Sequence, residues 1–141
     1  MILDAQHIFS DEQALTATAV STNVIDLGVD RNIGIGEPMA VVIVVDVALD
    51  DTTGDETYVA TLQSGSTATP TDVIASVTLA AGAAAGTKYV LPIPADESAD
   101  RYLRVNYTLG GTTPTGTVTA FLQPVKMIQN NVVYADAITI S

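Results

Sequence analysis

The sequence predicts an all-β fold, a β-sandwich or jelly roll of about seven or eight strands with extended N- and C-terminal arms. Three observations lead to this prediction. Short apolar segments alternate with a period of two, Gly, Thr and Pro separate them, and no long segment has helical periodicity. The 141 residues suit one jelly-roll domain (1–141), with 1–16 as an N-terminal arm and 125–141 as a last strand or a C-terminal arm.

The first residues of the chain are predicted to form an arm, because their few apolar residues follow no sustained period. These apolar residues are Ile2, Leu3, Ile8 and Phe9. Apolar side chains in a polar arm need cover elsewhere, so all four are candidates for contact with a partner. Deleting Met1 to Phe9 is therefore expected to weaken partner binding while the sandwich stays folded. The chain becomes strand-like from Ala17 to Leu27, and a Gly-rich loop follows.

The segment from Pro38 to Leu49 is a strongly predicted strand whose apolar residues occupy both faces between Met39 and Val45. One face belongs to the core. The other face must be covered by the arm, a neighbouring subunit or a partner protein, because a long apolar strand face is otherwise an aggregation site. Met39, Val42 and Val44 complete the set of interface candidates.

Three further strands follow, each separated from the next by loop residues. Their alternating apolar positions are Tyr58, Ala60 and Leu62, then Val73, Ala75, Val77 and Leu79, then Tyr89, Leu91 and Ile93. Pro92 and Pro94 interrupt the last of these strands, and proline has no amide hydrogen to donate to a neighbouring strand. We therefore expect that strand at the edge of a sheet.

The segment from Asp100 to Pro124 is predicted to be a β-hairpin. Its first arm places Leu103, Val105, Tyr107 and Leu109 on one face, and its return arm places Val118, Ala120 and Leu122 on one face. Gly110, Gly111, Pro114 and Gly116 supply the turn, and Phe121 breaks the alternation. Because a lone hairpin is only marginally stable, this apolar face requires a second sheet.

The charge balance excludes several classes of partner. Sixteen acidic and five basic residues give a net charge of −11, which disfavours binding to nucleic acid or to an anionic membrane. The start of the chain lacks the features of a signal peptide, and the longest apolar run is too short for a membrane-spanning helix. The protein is expected to be soluble. The absence of cysteine excludes disulfides but does not indicate a compartment.

No set of residues predicts catalysis, and no catalytic, cofactor-binding or metal-binding residue is assigned. His7 is the only histidine and lies in the predicted arm. The segment from Asp51 to Gly54 is similar to the D-[ST]-G element of aspartic proteases, but it contains an extra threonine and has no second copy. A dimeric acid hydrolase built on Asp51 is thus a third-ranked hypothesis. Whether the acidic loop 50–56 binds calcium stays open, because its spacing is not that of an EF-hand.

A resemblance to a known family rests on the segments MILDAQHIFSDEQALTATAVSTNVIDLG, IGIGEPM, RYLRVNYTL and TGTVTAFL. In these segments the chain resembles the small capsid cement proteins of tailed bacteriophages, in particular the type that decorates the Bordetella phage head. The resemblance implies a non-enzymatic jelly roll without cofactors that bridges major capsid proteins on the outer surface of the virion. It also implies contact with other copies of itself, as a dimer or trimer, no direct contact with nucleic acid or membrane, and synthesis in the host cytoplasm.

The main alternative is a carbohydrate-binding jelly-roll module of a fibre or surface protein. Such a module would present aromatic platforms to sugars. The chain has no tryptophan, and several of its five tyrosines fall on strand faces that are predicted to be buried. A cement protein, in contrast, needs no aromatic platform and no active site.

Overall fold

The computed structural model describes residues 7–28, 39–93 and 100–124. These residues form nine strands in two antiparallel sheets. The strands are β1 (Ile8–Ala14), β2 (Ala19–Val20), β3 (Ile25–Asp26), β4 (Met39–Val47), β5 (Thr57–Gly65), β6 (Asp72–Leu79), β7 (Lys88–Pro92), β8 (Tyr102–Gly110) and β9 (Thr117–Pro124). The prediction of an all-β sandwich is confirmed.

The strand order is that of a jelly roll. The first sheet has the order β1-β9-β4-β7, and the second has the order β2-β8-β5-β6, with β3 also paired to β8. The chain therefore passes from one sheet to the other at each connection except β2 to β3 and β5 to β6. Two Greek keys folded onto each other produce this arrangement.

The core lies between the two sheets and follows the predicted alternation along the strands. The first sheet contributes the completely buried side chains of Val41, Ile43 and Val45 in β4. The second sheet contributes those of Leu103 and Val105 in β8. Because successive side chains of a strand point to opposite faces, a period of two in the sequence is sufficient to select these inward residues.

The predicted hairpin between Asp100 and Pro124 is wrong, although both of its strands exist. β8 pairs with β5 in the second sheet, and β9 pairs with β4 and β1 in the first. The connection 111–116 crosses the end of the sandwich, where the Tyr58 hydroxyl donates to the Thr115 carbonyl at 3.1 Å. The apolar faces of the two strands thus meet across the core, because each sheet provides the cover that the other requires.

The predicted N-terminal arm is wrong for residues 8–14, which form the edge strand β1 paired with β9. Phe9 is 0% exposed within the core, and the buried Ser10 hydroxyl lies 2.8 Å from the Tyr107 hydroxyl of the other sheet. Deleting Met1 to Phe9 would therefore remove a core side chain, contrary to the sequence-based expectation. Residues 1–6 and 125–141 of the predicted arms lie outside the described residues.

The strands β6 and β7 agree with their predicted patterns except at one position. β7 lies at an edge of the first sheet, as its prolines require, with Leu91 and Ile93 buried. The second proline, Pro94, lies outside the described residues. In β6 the register shifts between the partners of Leu62 and Gln63, and Val73 is 57% exposed as a result.

Candidate interaction surface

The outward face of the first sheet carries an apolar row that crosses all four strands. Ile8 lies opposite Phe121, Phe121 opposite Val42, and Val42 opposite Val90. We call these four residues the outer row. None of them belongs to the core between the sheets. Val90 is 40% exposed and Ile8 is half-buried, whereas Val42 and Phe121 are 3% and 2% exposed. Only the two ends of the outer row are therefore accessible.

The structure separates the seven interface candidates into three groups. Phe9 and Val42 are buried within the chain, so the expectation that they stay open to a partner is wrong for both. Phe9 belongs to the core between the two sheets, and Val42 lies between Phe121 and Val90 on the outward face of the first sheet. Ile8, Val44 and Met39 are half-buried, Met39 packs against the core, and the contact of all three with a partner stays a prediction. Ile2 and Leu3 lie outside the described residues.

A buried amide lies beside the outer row without a hydrogen-bond partner. Gln123 is 4% exposed and lies opposite Ala40, and its Nε2 atom makes no hydrogen bond to the part of the chain that the structure describes. Because Gln123 follows Phe121 by two residues, it belongs to the same outward face of β9. A buried donor without an acceptor costs about 1–3 kcal/mol. The centre of this face is therefore buried, but its Gln123 amide donor lacks an acceptor among the described residues.

The acidic loop between β4 and β5 uses its carboxylates to hold neighbouring backbone in place. Asp55 accepts hydrogen bonds from the Thr112 amide and the Thr112 hydroxyl, both at 3.0 Å. Glu56 accepts from the Thr53 hydroxyl and, at 3.1 Å, from the Thr53 amide. The Thr53 hydroxyl lies within hydrogen-bond distance of both carboxylates and is the largest cause that lowers the pKa of Asp55 and of Glu56. Asp55 therefore links the loop to the β8–β9 connection, and Glu56 accepts hydrogen bonds within the loop itself.

The described residues include two positions that the sequence analysis weighed for chemistry, His7 and Asp51, and the acidic loop 50–56. Within ranges 7–28, 39–93 and 100–124, no three His, Asp or Glu side chains are grouped so that they could hold a metal ion. His7 is exposed at the start of β1, and Asp51 is an exposed loop residue. Among these same ranges, no helix is long and apolar enough to cross a membrane.

The tyrosines of the described strands do not form a sugar platform. Tyr58 and Tyr107 are each 1% exposed, and burial raises the pKa of Tyr107 to about 12. The Tyr89 hydroxyl accepts a hydrogen bond from the Ala80 amide at 2.9 Å. Tyr102 is half-buried, and the Arg101 guanidinium carbon lies 4.9 Å from the centre of its ring. Each ring has a role within the fold.

One protein family matches this jelly roll from its first strand to its last. Residues 9–122 match the family described as Bbp16. The chain belongs to the Bbp16 family. The Bbp16 match includes residues of all nine strands, and the family name suggests a Bordetella phage protein. None of the curated proteins matches the chain.

Sequence reasoning missed two residues of the outer row in this Bbp16 protein, Phe121 and Val90. A signal for each was present. Phe121 interrupts the alternation of β9, and Val90 lies between the inward residues Tyr89 and Leu91. An apolar residue at a strand position that points away from the core indicates that the outward face is partly covered.

Proposed function

We propose that this Bbp16 protein decorates a phage capsid and stabilises it by bridging major capsid proteins on the outer surface of the virion. The observation that supports the proposal most strongly is the Bbp16 match, which extends across the jelly-roll body. The family name suggests a phage origin, and the bridging role is our inference from the surfaces of the molecule.

The described body suits a role that depends on rigidity. Side chains from both sheets form one core, and the Ser10 and Tyr107 hydroxyls connect the sheets through a buried hydrogen bond of 2.8 Å. A clamp between capsid subunits must transmit force without deforming, and close-packed interiors have low compressibility. This protein would therefore act as a spacer of fixed shape.

The accessible ends of the outer row are our candidates for contact with the shell. Val90 is 40% exposed at the β7 edge, and Ile8 is half-buried at the β1 edge on the same face. These positions lie on opposite edges of one sheet, separated by β9 and β4. Two capsid subunits could each contact one edge, which is the geometry that bridging requires.

The charge of the chain supports a position outside the shell. A net charge of −11 repels packaged DNA and anionic membranes, so neither is proposed as a partner. The proposed partners are the major capsid protein and other copies of this chain, as a dimer or trimer. The protein would be made in the host cytoplasm, would need no cofactor, and would perform no catalysis.

The test is its occupancy on purified phage heads, measured by quantitative mass spectrometry. We expect near-stoichiometric amounts relative to the major capsid protein, and heads that lack it should lose DNA at lower temperature. The variant Val90→Glu should reduce occupancy at least about tenfold, because it places a charge in an apolar contact. Val47→Glu is the matched control, since Val47 is 58% exposed at the other end of the sheet.

Two results would contradict the proposal. The first is the absence of the protein from heads that were purified from producing cells. The second is unchanged heat resistance of heads after its removal. Equal loss of occupancy in Val90→Glu and Val47→Glu would contradict the assignment of the contact to the outer row while leaving the decorating role standing.

A further inference from the structure

Strand edges carry unpaired backbone groups, and three of the four sheet edges formed by the described strands are protected. At β1, two backbone carbonyls of the edge already accept hydrogen bonds from Asn23. The Ile8 carbonyl accepts a hydrogen bond from Asn23 Nδ2 at 2.8 Å, and the Phe9 carbonyl accepts one from the Asn23 amide at 3.0 Å. β1 also contains two register shifts and the exposed charges of Asp11 and Glu12. Bulges and charges are common protections of an edge.

The second and third edges are protected by their length and composition. β2 and β3 have two residues each, which is too short to accept a neighbouring strand. The Val20 carbonyl of β2 also accepts a hydrogen bond from Gln13 Nε2 at 2.9 Å. β7 has five residues, begins with the exposed Lys88 and ends with Pro92, which has no amide hydrogen.

The fourth edge, β6, has only two of these protections, the charge of Asp72 and one register shift between Val73 and Ala75, and both lie near its start. It runs for eight residues from Asp72 to Leu79 and contains no charge after Asp72, no glycine and no proline. Within the described part of the chain it pairs with β5 alone. Its outward residues Val73, Ser76 and Thr78 are exposed. Such an edge is a template for a further strand.

Negative charge lies at both ends of this edge. Asp72 is exposed at its start. At its end, Leu79 lies opposite Tyr58, the second residue of β5, and β5 begins directly after the acidic loop 50–56. Just beyond Leu79, the Gly82 amide donates to the Leu49 carbonyl at 3.0 Å, and a Cβ atom on Gly82 would lie 3.5 Å from Cβ of Asp51. The edge is therefore uncharged in its centre and acidic at both ends.

We propose that β6 accepts an extended segment of another protein, with a β-branched, uncharged centre and Lys or Arg at both ends. A second copy of β6 does not fit this pattern. In an antiparallel pair, Asp72 of each copy would meet the acidic loop of the other, and in a parallel pair the two Asp72 residues would be adjacent. The inference stands whether or not the segment comes from a phage head.

The test uses a synthetic peptide, Lys-Lys-Thr-Val-Thr-Val-Thr-Val-Lys-Lys with blocked termini, and the isotope-labelled full chain. Binding should shift the backbone amide resonances of residues 72–79 and slow their hydrogen exchange. A matched peptide with Glu in place of every Lys should bind at least about tenfold more weakly. Raising the salt concentration from 50 to 500 mM should reduce this difference several-fold, roughly as expected for exposed charges.

A charge reversal at Asp72 tests whether peptide binding depends on the local charge at β6 or on the net charge of the protein. Asp72→Lys should weaken binding of the Lys peptide about tenfold and strengthen that of the Glu peptide. Asp11→Lys makes the same change in net charge on the β1 edge and should alter neither by more than about twofold. Failure of the Lys peptide to shift residues 72–79, equal binding of both peptides, or shifts centred on β7 would overturn the proposal. Shifts at β6 that vanish on dilution without peptide would overturn it in favour of a second copy.

Discussion

The hydrogen bond between Ser10 and Tyr107 provides a sensitive test of how the two sheets are joined. Ser10 donates its hydroxyl hydrogen to Gln13 Oε1 at 2.7 Å, so the hydroxyl of Tyr107, 2.8 Å from Ser10 Oγ, must be the donor to Ser10. Ser10→Ala leaves the Tyr107 hydroxyl buried without a partner. Tyr107→Phe removes that donor and leaves the Ser10 bond to Gln13 intact.

The two substitutions should therefore differ in their effect on the free energy of unfolding. Ser10→Ala is expected to cost about 1–3 kcal/mol, the penalty for an unsatisfied buried group. Tyr107→Phe should cost about 1 kcal/mol, the net value of one hydrogen bond. The double variant Ser10→Ala/Tyr107→Phe leaves no unsatisfied hydroxyl at this contact, so its cost should fall below the sum of the single costs by at least about 0.5 kcal/mol.

Urea denaturation followed by circular dichroism measures all four proteins of this cycle. The larger single effect corresponds to a decrease in Tm of roughly 3–10 °C for a chain of this size. The reasoning would be refuted if Tyr107→Phe cost more than Ser10→Ala, or if the two costs were additive. Unchanged urea m-values would establish that the substitutions alter stability and not the extent of unfolding.

Three further predictions concern pH and backbone conformation. Burial raises the pKa of Tyr107 to about 12 from an unfolded value of 10.0, so the unfolded state loses its proton first. Stability should fall by about 2–3 kcal/mol between pH 10 and 12, and Tyr107→Phe should reduce this slope in urea titrations. The Arg101 hydrogen bonds lower the pKa of Asp26 to about 2, so Arg101→Leu should remove the part of the stability that is present above pH 4 and lost towards pH 2. Gly111→Ala should destabilise the fold by at least about 2 kcal/mol more than Gly54→Ala in thermal melts. Both glycines have positive φ, but only at Gly111 would a Cβ atom lie 2.3 Å from a backbone oxygen.

The sequence was sufficient to predict the strands wherever one face is buried and the other is polar. In β8, and in β5 from Tyr58 to Leu62, every second residue is apolar, and Tyr58, Leu62 and Val105 are buried as that pattern requires. The edge position of β7 also followed from the chemistry of Pro92. These are local properties, which depend on residues that are adjacent in the chain.

Pairing was harder to predict, because it depends on residues distant in the chain. The β8–β9 connection contains turn residues, yet it joins strands of opposite sheets. Nothing within residues 110–117 distinguishes a wide hairpin from a crossing, since Gly and Pro suit both. The N-terminal strand was missed for a similar reason. The bulges of β1 destroy its alternation, and its place depends on a tyrosine 97 positions away.

The candidate surface was predicted in part. The sequence indicated an apolar outward face on β4, but Val42 was expected to be open on that face and is 3% exposed. The unprotected edge of β6 could not be recognised before the sheet order was known. Edge strands are defined by the absence of a neighbour, and a sequence pattern reports only the strand itself.

The register of β1 with β9 has a mechanical consequence. Ile8 lies opposite Phe121, so the described chain enters the first sheet and leaves it at the same end, on adjacent strands. Tension applied between these two points would unzip the β1–β9 ladder one hydrogen bond at a time and would not shear the whole ladder at once. Such tension would meet little resistance, whereas compression across the two faces would be opposed by the entire packed interior.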